Sequence, residues 1–142
     1  MANRDLSADF LLAQAYVGTV LPEENYDCAH FFLQVQREVF GNLLSVPHKF
    51  EKHKRGAAGR AVQIRAARDE LAIRLDQPLH GCAALLVTRT ETGGRWHIGT
   101  VFEFNGEFWI LHTSRVTSGA ALNRLRDFAW RGQSIEGYYL CK

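Results

Sequence analysis

Trp96-His97-Ile98-Gly99-Thr100-Val101-Phe102-Glu103-Phe104-Asn105-Gly106-Glu107-Phe108-Trp109-Ile110-Leu111-His112-Thr113 is the stretch on which the fold turns. Two strand-like runs, Trp96 to Phe104 and Glu107 to Thr113, flank Asn105-Gly106, the strongest short-range hairpin signal. With a two-residue turn, Phe104 faces Glu107, Gly99 lies opposite His112 and His97 opposite Ser114. Alternate residues of a strand share a face, so His97 and His112 point the same way as diagonal neighbours, with alpha carbons roughly 7–8 Å apart. Gly99, having no side chain, leaves room for the His112 ring. A slip of one residue would send the two rings to opposite faces.

Outward from the hairpin, Cys82 to Thr88 is a short apolar run suited to a buried strand, and Ser134 to Leu140 reads as a last strand. Residues 122–130 suggest a short helix. Upstream the period changes: Leu6, Phe10, Ala13 and Val17 recur at helical spacing, with Asp5 or Ser7 as cap and Gly18 as stop. A second helical stripe runs Cys28, Phe31, Phe32, Val35, Val39 and halts at Gly41, with Asp27 as its natural N-cap. A loop rich in His and Lys follows. Val62, Ile64, Ala67, Leu71 and Leu75 then predict a third helix, halted by Pro78. Helices first and an antiparallel meander afterwards give an α+β fold class, with N-terminal helices packed on an antiparallel sheet.

A chain of 142 residues that is 46% hydrophobic can bury one core and leaves little room for a second, so residues 1–142 are read as a single domain. A formal net charge of +2 is too balanced to argue for nucleic acid, and no nucleic-acid partner is expected. No run approaches the roughly 18 apolar residues of a membrane span, and the opening Met1-Ala2-Asn3-Arg4-Asp5-Leu6 lacks a secretory pattern. Synthesis in the cytoplasm without a signal peptide, and no integral membrane segment, are the expectations. Cys28, Cys82 and Cys141 are odd in number and widely spaced, which disfavours a disulfide framework and leaves a thiol available.

Cys28 falls in the first turn of the second helix. There the unpaired backbone N–H groups and the positive end of the helix dipole favour thiolate over thiol, and a neighbouring imidazole does the same. Acyl-transfer chemistry assigns the roles: Cys28 as nucleophile, His97 as the base that takes its proton and returns it to the leaving amine, His112 as the group that orients His97. The Cys28 amide supplies one oxyanion donor, and Tyr26 or its loop is the place to seek a second. Asp27 is positioned to receive a substrate ammonium group. Cys28-Ala29-His30 and His80-Gly81-Cys82 lack the spacing of a structural zinc site, so neither metal nor cofactor is expected. Cys82 and Cys141 are read as buried and inert.

These parts, in this order, resemble the NlpC-type cell-wall peptidases (the NlpC/p-sixty superfamily), papain-like cysteine hydrolases of peptidoglycan. Asp27-Cys28-Ala29-His30-Phe31 corresponds to their nucleophile motif, His97-Ile98-Gly99-Thr100-Val101 to their His-Val-Gly-apolar base motif, and Leu111-His112-Thr113 to their third polar residue. The phage tail-associated branch is most similar: Tyr16-Val17-Gly18 precedes the nucleophile as it does there, and Arg37-Glu38-Val39-Phe40-Gly41 closes the cysteine helix. The stretch from Leu125 to Gly132 into Ile135-Glu136-Gly137-Tyr138-Tyr139 looks like the end of those tail proteins. The chain departs from the pattern in three places. A Trp-Gly-Gly segment before the nucleophile is missing, His30 stands where glycine is usual, and Gly81-Cys82 replaces Gly-Asp at the first strand.

The resemblance implies a papain-like fold and hydrolysis of an amide in the peptide stems of peptidoglycan by Cys28, His97 and His112, with Asp27 helping to bind a free amino terminus. It also implies association with phage or prophage tail proteins and action in the periplasm or cell wall, to which the tail would carry it. Two rivals stand beside it: a type VI secretion amidase effector with the same chemistry, and a structural tail-assembly subunit that kept the fold without activity.

Overall fold

Among the described residues, two helices precede a six-stranded antiparallel sheet: α1 (Leu6–Tyr16), α2 (Cys28–Phe40), β1 (Ala72–Leu75), β2 (Ala83–Thr90), β3 (Gly93–Phe104), β4 (Glu107–Ser114), β5 (Gly119–Arg124) and β6 (Gln133–Cys141), with a 3-10 turn at Leu125–Asp127. The structure, a computed structural model, describes residues 4–19, 28–43, 72–90, 93–114, 119–129 and 132–141. The chain is therefore α+β, with its helices ahead of the strands. Among the described residues, no helix is long and apolar enough to cross a membrane.

The helix boundaries follow local chemistry. Asp5 caps α1 by accepting from the Ala8 amide at 3.1 Å. The chain leaves α1 through Gly18, whose N–H donates to the Ala120 carbonyl at 2.9 Å, while the Ala120 N–H donates to Thr19 at 3.1 Å. The helix end is thereby stitched to β5. At the end of α2, the Gly41 N–H donates to Arg37 and the Asn42 N–H to Gln36, so otherwise orphaned carbonyls are satisfied. Buried Gln36 extends this to the sheet by donating to the Gly81 carbonyl at 3.0 Å.

The β3–β4 hairpin has the register its turn dictates. Asn105 and Gly106 have φ of 51° and 74°, both positive as a type I′ turn requires, and Phe104 pairs with Glu107. The sheet order is β1-β6-β2-β3-β4-β5, so the strands are not a simple meander: β6 enters between β1 and β2. A bulge interrupts β2–β6, where Leu85 faces Gly137 and Leu86 faces Ile135, and Glu136 is the extra residue.

Two expectations are corrected. Residues 72–75 are an edge strand rather than the end of a helix; the rest of the predicted third helix lies outside the described residues. Residues 119–124 form β5 and 125–127 coil into a 3-10 turn, so the helix predicted over 122–130 gives way to a strand at 122–124. Gly119-Ala120-Ala121-Leu122-Asn123-Arg124 has no β-branched or aromatic residue, and pairing with β4 overrides its weak local preference.

The sheet is apolar on both faces. On one face Phe10 and Ala13 of α1 and Phe31, Val35 and Val39 of α2 pack on Phe102, Leu111 and Ala120, and Phe32 packs on Ala83, Leu85 and Tyr139 beside Ile98. On the other, Cys82, Ala84, Leu86, Val101 and Ile110 gather around Phe128. The alternation along β2, β3 and β4 assigns every residue between to one face or the other.

Candidate functional site

His97 and His112 meet. His97 Nε2 lies 2.9 Å from His112 Nδ1, with the rings 5.1 Å apart between centroids and nearly perpendicular. His112 is 2% exposed and rests against Phe128, whereas His97 is half-buried. The far side of His112 is also engaged: its Nε2 is 2.8 Å from Asn123 Oδ1 on β5. The three side chains make a continuous polar line, His97 to His112 to Asn123, across three adjacent strands.

Gly99 makes this convergence possible. A Cβ there would meet Ile110 Cγ2, and would lie 3.0 Å from the Leu111 carbonyl and 3.2 Å from His112 Cβ. The β3–β4 register runs from Phe104↔Glu107 to Thr100↔Leu111, while β3 pairs with β2 as far as Gly93 and β4 with β5 as far as Ser114. His97 and His112 lie just past the end of that register, one on each strand.

Cys28 is the first residue of α2, as the sequence predicts. Its side chain, with Tyr26 and Asp27, lies outside what the structure describes. The apolar stripe of α2 covers the face of Phe102 and Leu111, whereas His97 and His112 share parity with Val101 and Ile110 and project from the opposite face. Along the strands, however, the start of α2 sits at the histidine end. Phe32, one turn into the helix, packs with Ile98, and Phe40 at its far end meets Phe102 and Gly81. The first turns of the helix thus lie over the His97 end of β3, on the opposite face of the sheet.

No protein-family model, curated protein or solved structure matches this chain. What the site can do must come from its own atoms.

Asn123 is the functional candidate that the sequence reading missed, because it lay in a stretch taken as helix. Its face follows only from the pairing with β4: in the strand, Ala121 and Asn123 share the His112 face while Ala120 and Leu122 turn to the helices.

The Cys82 thiol and the His80 ring are occupied elsewhere. Burial pushes the Cys82 thiol up to about 11, and its sulfur accepts from the Leu79 amide at 3.4 Å, so it is protonated and shielded at neutral pH. His80 accepts the Glu103 N–H at Nδ1 and therefore presents Nε2–H to Asp9 at 2.8 Å. The His80-Gly81-Cys82 pair is committed to internal hydrogen bonds.

Proposed function

We propose that this chain is a cysteine hydrolase of the papain-like, NlpC type, cleaving an amide in peptidoglycan peptide stems as a phage or prophage tail-associated protein. The observation carrying this reading is the His97–His112–Asn123 line. It holds one half-buried imidazole by a second, buried one whose far nitrogen is itself fixed, which is the support a base needs for a set tautomer and orientation. The start of α2 at the histidine end of the strands, with Cys28 as its first residue, and the order of motifs in the sequence add to it.

In this reading Cys28 gives its proton to His97: the S–H bond breaks, an N–H bond forms at His97 Nδ1, and Nε2–H of the resulting imidazolium donates to His112. The thiolate attacks the amide carbonyl, the C–N bond breaks as His97 returns the proton to the leaving amine, and water releases the acyl group. Asp27 receives the substrate's ammonium group.

The opposition of faces favours a second reading, a structural tail-assembly subunit of the same fold without activity. One experiment separates the two. Purified peptidoglycan is digested and the released fragments weighed, with the wild type and with Cys28→Ala and His97→Ala. The hydrolase reading expects new amino termini in the wild type alone, and a fall of about 10² or more in either variant. Equal fragments from Cys28→Ala, or none from any form, would remove it in favour of the structural subunit.

A further inference from the structure

His112 Nδ1 faces two partners at once. One is His97 Nε2 at 2.9 Å; the other is the carbonyl of the next residue, Thr113, also at 2.9 Å. A neutral imidazole has a single N–H, and these neighbours ask for it in different places. A carbonyl only accepts, so Thr113 favours the proton on Nδ1. Asn123 Oδ1, at 2.8 Å from Nε2, favours it on Nε2.

The two placements have opposite consequences for His97. With the proton on Nε2, His112 Nδ1 is an acceptor, His97 donates Nε2–H to it, and the His97 lone pair stands at Nδ1. With the proton on Nδ1, His112 is the donor, His97 Nε2 becomes the acceptor, and neutral His97 already carries its proton on Nδ1. It is then no base towards a thiol. His112 is almost fully buried, so solvent does little to blur the choice.

We infer that Asn123 is a positioning residue: its amide oxygen overrides the Thr113 carbonyl, holds the proton of His112 on Nε2, and so leaves His97 basic at Nδ1. This rests on the hydrolase reading above and adds to it a fourth polar side chain, one strand beyond His112. The β4–β5 register is what delivers it. Ala121 pairs with His112 and Asn123 with Ile110, so Asn123 reaches His112 on the diagonal.

The test reads the tautomer directly, by long-range nitrogen–proton correlation of the histidine rings in the intact chain, and separately measures alkylation of Cys28 by iodoacetamide at pH 6.5. Wild type is expected to show His112 protonated on Nε2. Asn123→Leu, with no acceptor to offer, is expected to show it on Nδ1 and to alkylate Cys28 roughly tenfold or more slowly, as the loss of a base for its thiol would. Asn123→Asp keeps an acceptor at that point and is expected to restore both the tautomer and most of the rate. It also controls for a leucine variant that fails to fold.

An Nδ1–H tautomer in the wild type, or a His112 tautomer and Cys28 rate unchanged in Asn123→Leu, would overturn the positioning role and leave the hydrolase reading standing. A wild-type Cys28 rate unaffected by His97→Ala would instead overturn the hydrolase reading, and this inference with it, without any change at Asn123.

Discussion

Thr100 sits wholly buried on the helix side of β3, and its hydroxyl has no hydrogen-bond partner among the described residues. A buried hydroxyl left unmatched costs more than the methyl that could replace it. Thr100→Val, which keeps the shape, is expected to raise stability by about 1 kcal/mol, read as a higher urea midpoint with an unchanged slope. One position back the sign reverses. Gly99→Ala puts a methyl onto Ile110 Cγ2 and against His112 Cβ, and is expected to cost about 1–3 kcal/mol. Because the strain falls beside His112, the His97–His112 contact should loosen as well, visible as shifted ring resonances. The sequence made Gly99 legible, since counting outward from Asn105-Gly106 puts it opposite His112. Nothing local marked Asn123, because its partner lies on another strand and its own segment has no strand-forming residue. A polar atom's value to a site depends on which side chain the tertiary pairing brings to it.

Between the elements, a buried clasp ties α1 to α2 and to the loop ahead of β2. Asp9 accepts from Arg4 at 2.7 Å and 3.0 Å and from His80 Nε2 at 2.8 Å. Arg4 also donates to the Val39 carbonyl at 2.8 Å and lies over the Phe40 ring. Burial pushes the Asp9 carboxyl up, but the hydrogen bonds from Arg4 and His80 outweigh it and hold the group below its usual range. A carboxylate with a depressed folded value stabilises fully above the unfolded value of about 3.9, and that contribution is lost as pH falls through the folded value. Acid titration of unfolding should therefore show a loss of stability below about pH 4 that Asp9→Asn abolishes. The same substitution leaves His80 and Arg4 without their anion and is expected to cost about 3 kcal/mol at pH 7, read from urea unfolding. The helices of this clasp were legible from their stripes and stops at Gly18 and Gly41. β1 was not: a four-residue edge strand ending an apolar-periodic stretch has no pattern of its own. It exists because β6 pairs with it, Ala72↔Cys141 through Leu75↔Tyr138.

Across the whole molecule, the sequence shows that the two histidines share a face, because strand parity is local. It does not show which face the helices take, because that depends on apolar surface supplied by all six strands. Both faces proved apolar, so hydrophobic pattern alone left the choice open. Cys82 belongs to the core on the face away from the helices, and its thiol, pushed up to about 11, should resist iodoacetamide at pH 7 for as long as the fold holds. In urea it should react at the rate of the global opening, which makes its labelling, followed by peptide mass, a native readout of stability. The order of the sheet has a kinetic consequence. β1 and β2 are close in sequence but not neighbours, and the slot between them waits for β6. Zipping successive hairpins can assemble β2 through β5, but it cannot fill that slot. The slow step of refolding should be the arrival of a distant segment, paid in loop entropy, so variants at the β1–β6 seam should speed unfolding while leaving the rate of early collapse untouched.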